Sequence, residues 1–273
     1  MMRHASLLTC GLLACVLALA LGCRRVDEPT LESVVAQIVK AQGGEKLKTI
    51  KSIKKSGSLL SYMSYKGRET VALVHFAVRP DKVRQEISLG RAKIVQAYDG
   101  MTAWRINPFD GSFKPKIISK NQVDELTRLL YWVGSLDLDI PFVDSAEKGY
   151  KLELMADEEL DGKPVHVVKV TDRRGKVETY YADARSGLIL KIQGREKVDD
   201  TETEVETLFS DYKEVNGIMT AHTIGRFALG HQLLQVMFRL VEYDVTVDDS
   251  LFEMPEVSRP KVEYDEYDYD EEH

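Results

Sequence analysis

Histidine, cysteine and carboxylate side chains are the candidates for chemistry in this sequence, and their spacing sorts them. Of the six histidines, His4 stands near the N-terminus and His273 is the last residue. The remaining four, His75, His166, His222 and His231, are scattered over separate expected strands or turns. None has a second His or a Cys at metal-ligand spacing, so they read as ordinary strand histidines and no metal site is expected. The sequence has no Gly-rich phosphate loop, no nucleophile elbow around a serine and no His-Glu-x-x-His helix. Carboxylates are abundant, yet nearly all fall on alternating strand faces or beside turn glycines, where structure accounts for them. The chain therefore reads as a non-enzyme, with no catalytic residue and no cofactor. An enzyme would need polar groups converging inside a pocket, and the sequence shows no sign of them.

Cysteine carries the one covalent chemistry that the spacing supports. Met1-Met2-Arg3-His4 is followed by Ala5 to Gly22, which contain no charge and are rich in Leu, Ala and Val. That is a basic segment followed by an apolar one, the plan of a secretory signal. A run of this length would also span a bilayer as a helix. The end of the run separates the two readings: Leu19-Ala20-Leu21-Gly22 leads into Cys23 with a small residue at the cut position, and resembles the lipobox of bacterial lipoproteins, with Ala20 where the best examples carry Leu. Cleavage before Cys23 and lipid on its thiol are expected, with residues 1–22 as signal peptide and 23–29 as a lipidated tether. Cys10 and Cys15 would leave with the signal, so no disulfide, thiol nucleophile or Cys-ligated metal would remain. A body of roughly 230 residues buries enough surface to fold without such staples.

Charge is unevenly placed. The net charge is −7, but Glu263 to Glu272 alone hold seven of the 44 acidic residues and no base. Without that stretch and Arg3, 37 acids face 36 bases, a nearly neutral body with no nucleic-acid footprint. Residues 262–273 repel themselves and lack apolar periodicity, so they read as a disordered, solubilising tail that could also meet cations or a basic protein partner.

The elements between these ends follow from periodicity. Leu31, Val34, Val35, Ile38 and Val39 fall on one face at helical spacing, and Gly43-Gly44 closes the helix. From Ser52 the period becomes two, with turn signals at Lys66-Gly67, Leu89-Gly90, Asp99-Gly100, Asp161-Gly162, Arg174-Gly175, Ser186-Gly187 and Asn216-Gly217. Asp-Gly and Asn-Gly favour tight hairpins because they tolerate positive φ, so an antiparallel meander is expected. Val83, Ile87 and Leu89 alternate with Arg84, Glu86 and Ser88; Leu188, Leu190 and Ile192 alternate with Ile189, Lys191 and Gln193. Thr203, Val205, Thr207 and Phe209 oppose Glu202, Glu204 and Glu206, so one sheet face should meet water and the other an apolar interior. Val71 to Val78 and Leu233 to Val241 are apolar on both faces and read as central or covered strands. A second helix is expected from a Ser119/Gln122 capping box through Val123, Leu126, Leu130 and Val133, ending at Gly134. Asp139-Ile140-Pro141-Phe142 should then form a short turn or helix. One domain over residues 30–261 satisfies every segment.

The order of these segments resembles the LolA/LolB superfamily of periplasmic lipoprotein carriers and receptors, together with the outer-membrane lipoprotein-sorting proteins. The resemblance rests on the first helix ending at Gly43-Gly44, on Tyr98-Asp99-Gly100 with Ala103-Trp104, and on Asp161-Gly162-Lys163. It continues through Tyr180-Tyr181-Ala182-Asp183, Ser186-Gly187-Leu188, Asp211-Tyr212 and Val215-Asn216-Gly217. It implies an α+β fold: a curved, incomplete antiparallel β-barrel, or half-barrel, with apolar helices covering the concave face. In that family the cavity takes acyl chains in transit. By resemblance, Val34, Ile38, Val71, Leu73, Trp104, Val123, Leu126, Leu130 and Val133 are acyl-chain cavity or lid candidates, although ordinary core packing explains each of them equally well. Lipid or acylated lipoprotein is the implied cargo, and lipidated Cys23 would tether the protein to a membrane as the family's receptor is tethered. Arg24 in place of Asp after the cysteine points, by the enterobacterial sorting rule, to the outer membrane of the envelope, facing the periplasm.

Two functions of different class fit this architecture. The first is a lipid- or lipoprotein-binding module with a cavity between sheet and helices. The second is a protein-binding or sensor module on the same fold, with a dry core and its function on strand edges or the acidic tail.

Overall fold

The period-two stretches condense into one antiparallel sheet. The computed structural model describes residues 28–62, 69–118, 138, 140–198 and 201–256. The expected signal segment, Cys23, the helix expected over Ser119–Val133 with Val123, Leu126, Leu130 and Val133, and the acidic tail lie outside these residues.

Two helices come first, α1 (Leu31–Gln42) and α2 (Lys46–Thr49). Thr30 caps α1: its hydroxyl accepts from the Ser33 N–H at 3.2 Å, while the Ser33 hydroxyl accepts from the Thr30 N–H at 3.0 Å. Gly43 and Gly44 both donate to the Val39 carbonyl and end the helix where the sequence places its stop. A meander follows: β1 (Ser52–Ser61), β2 (Glu69–Val78), β3 (Lys82–Leu89), β4 (Ala92–Tyr98), β5 (Ala103–Asn107) and β6 (Ser112–Ile117). Turns over residues 141–149 lead into β7 (Lys151–Leu154), β8 (Glu158–Leu160), β9 (Lys163–Thr171) and β10 (Val177–Asp183). The chain continues through β11 (Ile189–Val198), β12 (Thr201–Val215), β13 (Ile218–Ala228) and β14 (His231–Tyr243).

The strand order is β6-β5-β4-β3-β2-β1-β14-β13-β12-β11-β10-β9-β7, with β8 also pairing β9. Antiparallel pairing of β1 with β14 fuses the two meanders, and β6 and β7 are the two ends of the path, so the sheet is not closed. The central positions of β2 and β14 fit their apolar sequences. Asp161-Gly162 and Asn216-Gly217 form two-residue hairpins with φ of 50° and 75°, and of 51° and 76°.

One face of the sheet, the inner face, carries the main apolar core. It gathers Ile53, Leu73, Ala77, Val83, Ala103, Val168, Tyr180, Ile192, Phe209, Ile224, Val236 and Phe238 with Val34 and Ile38 of α1 and Leu47 of α2. Helix α1 sits at the end of the sheet where the β10–β11 and β12–β13 turns lie. The Gln37 side-chain amide donates to the Ala184 carbonyl at 3.0 Å, and Lys46 donates to the Asn216 carbonyl at 2.8 Å. A Cβ on Gly187 would stand 2.8 Å from the Gln37 carbonyl oxygen, so the glycine is what allows the helix to approach this turn.

Two strand readings differ from expectation. Leu188, Leu190 and Ile192 do not share a face: β10 and β11 slip register between Tyr181/Lys191 and Ala182/Ile189, leaving Leu190 as the extra residue of a bulge. Ile189 and Ile192 therefore both turn into the main core, while Leu190 packs on the other face with Val165, Val167 and Tyr181. The outer face of β3–β5 is also not simply wet. The segment from Asp248 to Phe252 crosses it, with Phe252 fully buried, and Arg84 donates to the Leu251 carbonyl at 2.5 Å while Lys82 pairs with Asp249 at 2.9 Å.

Candidate functional site

Register and alternation sort the inner face of β1–β5 into rows that run across the strands. Nearest α1 is an apolar row, Ile53, Ala77, Val83, Tyr98 and Ala103, each paired with the next. Two residues further along every strand lies a polar row: Lys55 pairs with His75, His75 with Gln85, Gln85 with Gln96, and Gln96 with Arg105. A third row, Gly57, Leu73, Ile87 and Ile94, is again apolar except for the glycine. Beyond it Leu59 pairs with Val71.

The polar row is interior. Lys55 is 2% exposed, His75 0%, Gln85 3% and Gln96 9%; only Arg105, at the strand nearest the edge, reaches solvent, where it pairs with Asp110 at 3.0 Å. Gln96 donates to the Gln85 side-chain oxygen at 2.8 Å. The Lys55 ammonium stands 5.1 Å from the centre of the Phe238 ring on β14, in cation–π range. Burial, and then the positive charge of Lys55, lower the His75 pKa to about 3, so the imidazole is neutral at physiological pH.

Gly57 shapes this region. A Cβ there would fall 2.0 Å from the Met237 carbonyl oxygen, where the β1–β14 register shifts, so only glycine lets β14 close onto β1 beside Phe238.

A second polar group lies at the far end of the same face, on β11–β13. Arg226 donates to Glu196 at 2.6 Å, with both side chains largely buried, and Thr203 and Thr207 flank the pair through the strand register. Between these patches the face carries Ile224, Val236 and Phe238 together with the buried His222 and Thr220, which stand in phase with Ile224 on β13.

The candidates named from sequence are placed as follows. Val34, Ile38 and Leu73 belong to the main core, and Val71 lies on β2 in phase with Leu73. Trp104 does not join them. It lies on the outer face with Val95, Ala97 and Ile106, under the C-terminal segment, and its indole N–H donates to the Phe252 carbonyl at 2.7 Å. Strand alternation forces this, since the neighbouring Ala103 points to the main core. The four histidines between the chain ends are separate: His75 is in the polar row, His166 Nδ1 is 3.0 Å from Asp157, His222 Nδ1 is 3.0 Å from the Thr220 carbonyl, and the exposed His231 begins β14.

The polar row was not anticipated, yet it left a signal. On each of four strands one polar residue stands in phase with apolar ones: Lys55 after Ile53, His75 between Leu73 and Ala77, Gln85 between Val83 and Ile87, and Gln96 between Ile94 and Tyr98. Each looks like a local irregularity until the strands are aligned.

No family model matches the sequence, and no curated protein does. Solved structures do resemble it. A LolA superfamily protein from Nitrosomonas europaea is 12% identical, with 83% of this chain and 98% of the other covered at a TM-score of 0.56. A DUF1329 family protein from Desulfovibrio piger is 16% identical, with 83% and 98% covered at 0.55. A Vibrio parahaemolyticus domain whose name refers to outer membrane lipoprotein sorting is 14% identical, with 79% and 95% covered at 0.51.

Proposed function

Because the chain has the LolA-like fold, we propose that it is an envelope module that takes lipid, or the acyl chains of lipoproteins, against the apolar inner face of its open sheet. Its place would be in lipoprotein sorting or outer-membrane lipid handling, and it would act by binding rather than catalysis. The observation that carries this reading is the inner face itself, apolar from Ile53 through Leu73 and Phe238 to Ile224 on a sheet that does not close. Each acyl methylene buried is worth about 0.8 kcal/mol, so a chain of about twelve supplies about 10 kcal/mol before the contacts it displaces are subtracted. Val34, Ile38, Val71 and Leu73 are the proposed contacts on the described residues, and Val123, Leu126, Leu130 and Val133 the proposed lid. The name of the Vibrio domain supports the same reading. Lipid on Cys23 would hold the protein at the outer membrane and suits a tethered acceptor better than a diffusing shuttle, and the acidic tail would be free to meet a basic protein.

The test is native mass spectrometry with lipid extraction. The chain carrying Cys23→Ser is expressed in bacteria and recovered from the envelope without detergent. Co-purifying phospholipid or acylated peptide near a one-to-one ratio is expected. An apo mass, together with no uptake of added lipid, would overturn the proposal and favour the protein-binding or sensor role.

A further inference from the structure

We infer that Arg226, at the far end of the inner face, donates one arm of its guanidinium to the neutral acyl carbonyl of the ligand, an ester or an amide, whose chain lies along the apolar row beside it. This rests on the lipid-binding reading and deepens it by naming the class of ligand.

The two arms of this guanidinium differ. Arg226 stands in β13 between Thr207 of β12 and Leu234 of β14, its partners in the register, with its side chain 5% exposed. Nη2 donates to the Glu196 carboxylate at 2.6 Å, whereas Nη1 is buried and meets no acceptor among the described residues. The nearby Thr203 hydroxyl is engaged with the Thr201 carbonyl at 3.1 Å. Buried side-chain donors are nearly always partnered, because an unmet one carries its full desolvation penalty. An acceptor brought to Nη1 therefore gains more than one offered to a donor that water already serves.

Glu196 decides which acceptor fits. Its carboxylate already meets the charge of the guanidinium, and both side chains are largely buried, at 5% and 14% exposed. A second anion would add an unpaired charge to a neutral pair out of water, while a carbonyl oxygen takes the remaining N–H groups without that penalty. The place for the chain lies alongside. Two residues nearer α1 on each strand, Phe209, Ile224, Val236, Leu59 and Val71 pair in turn across β12, β13, β14, β1 and β2. At a strand spacing of about 4.8 Å this apolar row runs about 19 Å, and it lies about 7 Å from the Arg226 row. A carbonyl held by Arg226 thus fixes where the chain begins, and the row fixes where it runs.

Four ligands of one chain length test this: methyl hexadecanoate, N-methylhexadecanamide, hexadecyl methyl ether, which lacks the carbonyl, and hexadecanoate, which carries a charge. Affinities are measured by displacement of a fluorescent apolar probe from the chain recovered with Cys23→Ser. At least one neutral carbonyl ligand should bind about tenfold tighter than the ether, the difference that a hydrogen bond from a charged donor supplies, and the tighter of the two tells ester from amide. Hexadecanoate should bind no tighter than that ligand. Arg226→Met combined with Glu196→Leu removes the pair together, so that no lone carboxylate stays buried, and should bring the carbonyl-to-ether ratio close to one while ether binding is retained. If this variant fails to fold by circular dichroism, infrared spectroscopy of the bound ligand with an isotopically labelled carbonyl replaces it, and the carbonyl band should lie at lower wavenumber than in hexane. Equal affinities for the carbonyl ligands and the ether, tighter binding of hexadecanoate than of either neutral carbonyl ligand, an unchanged ratio in the folded variant, or an unshifted band would overturn the inference and leave lipid binding standing. Binding of none of the four would remove both.

Discussion

A neutral imidazole beside an ammonium, sealed inside a sheet face, makes the fold sensitive to acid. The His75 pKa is lowered from 6.5 to about 3, first by burial and then by Lys55, the charged group facing it among the described residues. Below pH 6.5 the unfolded chain takes up a proton that the folded chain refuses. Stability is therefore complete above that pH and falls as pH drops toward 3, by about 1.4 kcal/mol per pH unit once the unfolded imidazole is protonated. Glu86 and Asp183 also lose stabilisation in acid. Burial raises each, but Lys93 and Arg84 hold Glu86 below its usual range, and the Ser186 and Arg185 N–H groups do the same for Asp183. Those losses come in the carboxylate range, so the window between pH 6.5 and 5 isolates the histidine. Urea unfolding across that window should show the unaltered chain losing stability relative to His75→Gln; parallel curves would mean that His75 is not held neutral. The sequence identified these histidines as strand residues, which fits, but the depth of His75 was not legible. Its neighbours in the row lie ten to twenty residues apart along the chain, and only the register brings them together.

The elements were legible where the backbone itself dictates them. Asp161-Gly162 and Asn216-Gly217 require positive φ, and α1 has its glycine stop, so these boundaries could be read directly. What failed were features set by strand pairing and packing rather than by local sequence. The bulge at Leu190 depends on the partner strand, and Trp104, assigned to the cavity by family resemblance, carries no label in the sequence for which face of β5 it occupies. The segment after β14 was assigned no element from the sequence, yet Phe252 is fully buried over β3–β5, with Lys82 6.0 Å from its ring centre and Arg84 5.6 Å from that of Trp104. This strap, not the lid, is what Trp104 serves. Phe252→Ala should cost about 3–5 kcal/mol, as large-to-small changes at fully buried aromatics do. In a Trp132→Phe background it should also red-shift Trp104 emission while the β-sheet signal of circular dichroism is retained. An unshifted emission would place the indole outside the strap.

At the scale of the whole molecule, the open path from β6 to β7 is what separates this sheet from a closed barrel. A closed barrel admits a ligand only through its mouths, whereas an open sheet leaves unpaired edges at β6 and β7 beside which the face can be reached. The split between a helix-docked end, near Val34 and Ile38, and a far end bearing Arg226 and Glu196 gives the face a direction along which a chain could lie. The antiparallel meander could be read from the hairpin signals and the half-barrel from the family resemblance, but the layered apolar-polar-apolar face could not, because it exists only once β1 to β5 are in register. The central claim is that an acyl chain occupies this inner face. Photo-crosslinking with a diazirine-bearing hexadecanoate, followed by peptide mapping, tests it most directly. Labels are expected on inner-face positions of β1–β3 and β14, around Leu73, Ile87 and Phe238. Labelling confined to the outer face around Trp104 or to the exposed Phe109 and Phe113, or no specific labelling at all, would contradict the account.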